Sequence, residues 1–135
     1  MPGLSGRTWH GGRVDVAALR GRVVVVNAWA SWCEPCRQES RVLAALAGDR
    51  AARVSFVGLD ESGDAAASAA FTRTSGARYP DLRDDGTLLR ALAAWLPAAL
   101  PGTLVLDPRG RVAARIVGPV TAGELEPVLD RLSAA

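Results

Sequence analysis

Four consecutive valines, Val23, Val24, Val25 and Val26, followed after Asn27 by Ala28 and Trp29, make a run with almost no polar position. That is the pattern of a strand buried on both faces. Residues 54–59, Val-Ser-Phe-Val-Gly-Leu, read as a second strand of the same kind. Between the two the apolar spacing becomes helical: over residues 34–47, Val42, Leu43 and Leu46 share one face, and Gly48-Asp49 supplies a stop. Strand, helix and strand predict a βαβ unit with parallel strands and a right-handed crossover. Upstream, Val14-Asp15-Val16 reads as a short edge strand.

The second half keeps the alternation. Asp64 is a cap for an Ala-rich helix reaching about Thr74, and Asp85-Gly86 precedes another over residues 87–95 that carries Leu88, Leu89, Leu92 and Trp95, with Tyr79-Pro80 between the two. Residues 103–106, the turn Asp107-Pro108-Arg109-Gly110 and residues 111–117 form a hairpin signal: apolar run, turn residues, alternating run. Thr121-Ala122-Gly123-Glu124 is a capping box ahead of Leu125, Val128, Leu129 and Leu132. No repeat or low-complexity linker divides the chain, so its 135 residues are expected to form one domain.

The chemistry sits where the first buried run meets the first helix. Cys33 and Cys36 are the only cysteines, and a C-x-x-C at a strand-to-helix junction is a dithiol redox arrangement, because a helix N-terminus offers unpaired N–H groups that favour a thiolate. Cys33, at the helix start, is the expected exposed nucleophile, and Cys36, one turn in, the buried resolving thiol. Between them Pro35 suits a first-turn position that needs no N–H donor, while the carboxylate of Glu34 opposes thiolate formation if it faces the sulfur; both are redox-tuning candidates.

Composition narrows the alternatives. The formal net charge is +2, and all sixteen basic residues are arginines dispersed among fourteen acids, which leaves no nucleic-acid footprint. A zinc or iron–sulfur site would need two more soft ligands, and the chain has one histidine, His10, in a Gly-flanked loop, so no metal is expected. A purely structural disulfide over so small a loop would remove little unfolded-state entropy. The opening residues lack the apolar core of a signal peptide, and Pro97 and Pro101 interrupt the most apolar later stretch, so the chain as given is expected to be soluble, with membrane attachment only through an anchor outside it.

The segment Val26-Asn27-Ala28-Trp29-Ala30-Ser31-Trp32-Cys33-Glu34-Pro35-Cys36-Arg37-Gln38-Glu39 resembles the active-site stretch of the TlpA/ResA/DsbE-like thioredoxins, exported bacterial thiol-disulfide oxidoreductases. Ala17-Ala18-Leu19-Arg20-Gly21-Arg22, Ala99-Leu100-Pro101-Gly102-Thr103, Asp107-Pro108-Arg109-Gly110-Arg111-Val112 and Val117-Gly118-Pro119 extend the likeness in order over nearly the whole chain. The resemblance implies a thioredoxin-like α/β fold, a central mixed β-sheet flanked by helices, with a cis-Pro loop opposite the C-x-x-C helix N-terminus. It further implies that Pro101 is cis and packs on the disulfide, that the backbone of Leu100 pairs with a substrate strand, that Trp32 rims the same surface, and that Glu39 moves protons during exchange. Asn27 stands where cytosolic thioredoxins carry a buried Asp, so any acid function falls to Glu39.

Three positions depart from the family. Arg41 replaces a proline, implying a first helix without a kink; Gly102 follows Pro101 in place of threonine, implying a looser loop; Ala28 replaces an aromatic residue. A peroxidase would want threonine three residues before the nucleophile, where this chain has Ala30.

The expected activity is disulfide exchange with protein thiols and disulfides, with no cofactor beyond the Cys33–Cys36 pair and with an unidentified donor or acceptor protein as redox partner. The resemblance favours an extracytoplasmic reductant, with apocytochrome c maturation among the family's roles, and an exported chain whose signal or anchor lies outside this sequence; a cytoplasmic location stays open. An extracytoplasmic oxidant is the alternative. A peptide-binding module with a structural disulfide is the alternative of another class.

Overall fold

The computed structural model describes residue 1 and residues 3–134. The valine run forms the central strand of a five-stranded sheet, and its lack of any polar face follows from that place. In chain order the strands are β1 (Ser5–Arg7), β2 (Arg13–Asp15), β3 (Val23–Trp29), β4 (Val54–Asp60), β5 (Asp81–Arg83), β6 (Gly102–Leu106) and β7 (Val112–Val117). The helices are α1 (Glu34–Asp49), α2 (Ala65–Ser75), α3 (Thr87–Ala91) and α4 (Ala122–Ser133), with a 3₁₀ turn at Val16–Leu19. The main sheet runs β5-β4-β3-β6-β7, with β3, β4 and β5 parallel and β6 and β7 antiparallel to their neighbours. This is the mixed thioredoxin-like sheet that the resemblance implied.

The strand period of two sorts side chains onto two cores. Val23 and Val25 of β3, with Val54, Phe56 and Val105, pack against Leu43 and Leu46 of α1 and Leu125 and Leu129 of α4. Val24, Val26 and Ala28, with Leu59, Leu104 and Leu106, pack on the other face against Leu4, Val16, Leu89, Leu92 and Leu96. Pinned on both sides, β3 cannot slip in register without exchanging the contents of the two cores. Its C-terminal end, where α1 begins, is thereby fixed.

Several local expectations need correction. The short edge strand expected at Val14-Asp15-Val16 is present one residue earlier, as β2, which pairs antiparallel with β1 in a separate two-stranded sheet while Val16 already turns into the 3₁₀ segment. β5, unforeseen, is a three-residue edge strand directly after Pro80, joined to the small sheet by a bridge from Thr8 to Leu82. The helix expected over residues 87–95 ends at Ala91, after which Leu92 and Ala93 bond three residues back; Leu92 and Leu96 nevertheless keep their inward positions. α1 runs through Gly48 to Asp49. Gly102 does not loosen its loop: it opens β6, pairs with Ala28 and Val117, and lies so close to Leu96 that a Cβ would stand 3.2 Å from both of that residue's methyl carbons. No helix among the described residues is long and apolar enough to cross a membrane.

Candidate active site

β3 delivers the chain to the N-terminus of α1, where Cys33 is the N-cap residue. Its extended backbone lets Sγ accept the N–H of Cys36 at 3.3 Å, which gives one of the unpaired donors of the first turn a sulfur partner. Pro35 sits in that first turn, where no N–H is needed. Cys33 and Cys36 form a disulfide with their Cα atoms 5.3 Å apart. Glu34 is exposed and turned toward Arg37, 3.5 Å away, so its charge is shared with a cation on the same helix face.

The expectation of an exposed Cys33 is corrected: only 6 % of the residue is accessible, against 1 % for Cys36. Trp29, Ala30, Phe71 and Leu100 pack around the pair, with the Trp29 and Phe71 rings stacked at 4.6 Å. The order of accessibility, first cysteine over second, is the expected one. Beside them Trp32 is 69 % exposed, unlike the buried Trp29.

The Leu100–Pro101 peptide bond is cis and precedes β6. Leu100 packs on the disulfide cluster, the carbonyl of Pro101 accepts the N–H of Gly118 at 2.9 Å, and neither backbone group of Leu100 has a hydrogen-bond partner among the described residues. The C-x-x-C helix terminus, the cis-proline loop and Trp32 are therefore neighbours through Leu100 and the sequence next to Cys33.

One turn below Cys36 the carboxyl of Glu39 is buried, with 1 % of the residue accessible. Oε2 accepts Asn27 Nδ2 at 2.7 Å and Oε1 accepts the backbone N–H of Val120 at 3.2 Å. Asn27 donates as well to Thr103 Oγ1 at 3.1 Å, so β3, β6 and the entry to α4 all meet at this acid. Burial pushes Glu39 up to about 7, prevailing over the two hydrogen bonds that favour its ionised form.

Sequence reasoning missed a second acid at the site. Asp81, the first residue of β5, accepts the indole N–H of Trp29 at 2.9 Å. The strand glycine Gly58 was the available signal, since a glycine inside a buried run marks a close approach. A Cβ there would overlap the Asp81 carboxylate and stand 2.8 Å from Trp29 Nε1. Among the described residues no group of three or more His, Cys, Asp or Glu side chains is arranged to hold a metal ion.

Comparison with known proteins agrees with this architecture. The chain belongs to the AhpC/TSA family, whose model matches residues 1–115, and within it to the thioredoxin-like thiol-disulfide oxidoreductases of the TlpA/ResA/DsbE type. It is 33% identical over 120 residues to the thiol:disulfide interchange protein HelX of Rhodobacter capsulatus, an alignment that covers 89% of this chain and 66% of that one, so the chain spans just under two thirds of this relative. Among solved structures, a thioredoxin-family thiol:disulfide interchange protein from Chlorobium tepidum superposes with a TM-score of 0.86 at 28% identity, covering 97% of this chain and 93% of the other. A DsbF homologue from Corynebacterium diphtheriae gives 0.85 at 31% identity over 96% of this chain and 84% of the other.

Proposed function

We propose that this domain reduces disulfides of protein substrates in an exported compartment, with Cys33 as nucleophile and Cys36 as resolving thiol. The Cys33 thiolate attacks one sulfur of a substrate disulfide and the other substrate sulfur leaves as a thiolate. Cys36 then gives its proton to Glu39 and attacks Cys33 Sγ, which closes the Cys33–Cys36 disulfide and releases the second substrate thiolate. Two electrons pass from the dithiol to the substrate, and a separate protein dithiol must restore the pair. Leu100, with its free backbone groups beside the disulfide, offers an edge to an extended substrate segment, and the exposed Trp32 gives that segment an apolar rim. Maturation of apocytochrome c cysteines is the substrate class the family resemblance suggests.

The observation that carries the direction of electron flow is the buried Glu39 one turn below Cys36. A carboxylate in that place opposes thiolate formation at the pair, which weakens the dithiol relative to the disulfide and makes the dithiol the better electron donor. The pair's reduction potential tests the reading: it is expected near the about −270 mV of thioredoxin-type reductants rather than the about −120 mV of strong dithiol oxidants. Cys36→Ser should leave Cys33 trapped in mixed disulfides with client proteins. A high potential would make the domain an oxidant. A pair with no reversible two-electron transition and no trapped clients would leave a peptide-binding module.

A further inference from the structure

We propose that Asp81 is a positioning residue for disulfide exchange: it fixes the Trp29 indole against the Cys33–Cys36 pair and sets, through its charge, how readily Cys36 gives its proton to Glu39. The inference rests on the exchange reading above and extends it to a residue of the far sheet edge.

The geometry is specific. Trp29 ends the central strand in one apolar cluster with both cysteines, and the only polar atom of its side chain is bonded to Asp81 at 2.9 Å. β4 clears the space for this bond, since any side chain at Gly58 would enter it. A small cavity beneath the disulfide is lined by Asn27, Trp29, Cys36, Glu39, Tyr79 and Asp81, so the second carboxylate opens on the same space as the resolving thiol and its proton acceptor. Within this cavity the groups facing Asp81 are acidic or neutral, while on its other side Asp81 borders a second cavity that Arg78 and His10 also line. Asp60 on β4 is near enough to raise its proton affinity, Glu39 comes from α1, Tyr79 lies two residues before it, and α2 contributes the uncharged Phe71, Thr72 and Ser75. Arg83, on the same strand, stacks its guanidinium over Trp9 at 4.3 Å.

Asp81 is held up at about 7, burial being the main cause, with the Trp29 hydrogen bond pulling the other way. Its charge therefore grows as the pH rises from 6 to 8. When charged, it disfavours a negative charge on Cys36 or Glu39 across the cavity, and the disulfide gains relative to the dithiol.

The test compares wild type with Asp81→Asn, which keeps an acceptor for Trp29 and removes the charge. At pH 8 the variant should shift the equilibrium toward the dithiol by about tenfold, about 30 mV less negative for a two-electron couple, and at pH 6 the difference should fall below about twofold. Equal potentials at pH 8, or a difference of the same size at both pH values, would overturn the proposal, because a purely structural effect does not follow the charge. A wild-type measurement guards against a variant that does not fold: the carboxyl carbon resonance of Asp81 should titrate at a different pH in the disulfide and dithiol states, and an identical midpoint would also overturn it. If wild type itself shows no reversible redox transition, the exchange reading falls and this inference with it; failure of the Asp81 tests alone leaves exchange standing.

Discussion

Gly58 shows how a residue without a side chain can hold an active site in place. It lies in β4 directly opposite Asp81 of β5 and Asn27 of β3, and the hydrogen bond from Trp29 to Asp81 crosses the volume a Cβ would occupy. Gly58→Ala must displace β5, the indole, or both. The overlap is with a carboxyl group tied to Trp29 and with the indole nitrogen itself, so relief by a simple rotation is unavailable. We expect a loss of about 1–3 kcal/mol, the range for overpacking a filled interior, read as a lower urea midpoint, together with a changed Trp emission in the oxidised state. Unchanged stability and emission would mean that β5 shifts freely, and the fixed position of Asp81 would no longer follow.

At the scale of elements, the site draws on the entry to α4 as well as on α1. Val120 donates its N–H to Glu39, and the next residue, Thr121, begins a complete capping box in which Thr121 Oγ1 accepts the N–H of Glu124 at 3.2 Å and Glu124 accepts the N–H of Thr121 at 3.1 Å. Thr121→Ala should cost about 1 kcal/mol, as loss of an N-cap side chain does, with the slope of the urea transition unchanged. Because the freed turn also loosens the Val120 donor, the pH midpoint of disulfide exchange should rise in the same variant; a drop in stability with no movement of that midpoint would separate the cap from the site. This capping box was legible in the sequence, as were β3, α1, β4 and the β6–β7 hairpin, because each carries its period or turn chemistry within itself. β1 and β5 were not legible. Three residues cannot establish a period of two, and β5 exists because β4 offers it an edge from Gly58 to Asp60. The end of α3 was missed for a related reason: Leu92 and Leu96 hold their buried places from turns as they would from a helix, so the apolar spacing did not register the change in backbone bonding. The cysteines and Glu39 were readable from one continuous segment, whereas Asp81 and the Val120 amide reach the site only through tertiary packing.

For the whole molecule, the acids that serve the site also set its stability against pH. Glu39 and Asp81 are raised from ordinary values of 4.5 and 3.8 to about 7, and Glu61 to about 9, first by burial and then by its hydrogen bond and repulsion with Asp84. In each case the folded protein holds the proton more tightly than the unfolded chain, so the associated stability is fully present below about pH 4 and is lost as pH rises through 7, and for Glu61 through 9. Two carboxylates act in the opposite sense: Asp85, which is exposed, and Asp107, which is half-buried, are lowered by hydrogen bonds at Thr87 and Arg111 respectively, and their contribution disappears in acid. The oxidised protein should therefore be most stable on the acid side of neutrality and melt at a higher temperature at pH 5 than at pH 8. Glu39 alone accounts for on the order of 3 kcal/mol of that decline, at about 1.4 kcal/mol per tenfold change in proton affinity. Glu39→Gln has no proton to lose, so its melting temperature should fall less between pH 5 and pH 8 than that of wild type. Parallel pH profiles for the two proteins would show that Glu39 is already ionised in the oxidised state. An acid already ionised at neutral pH would still accept the Cys36 proton, but its standing charge would oppose thiolate formation throughout this range, giving a flat pH dependence of exchange where a titrating Glu39 gives a bend near pH 7.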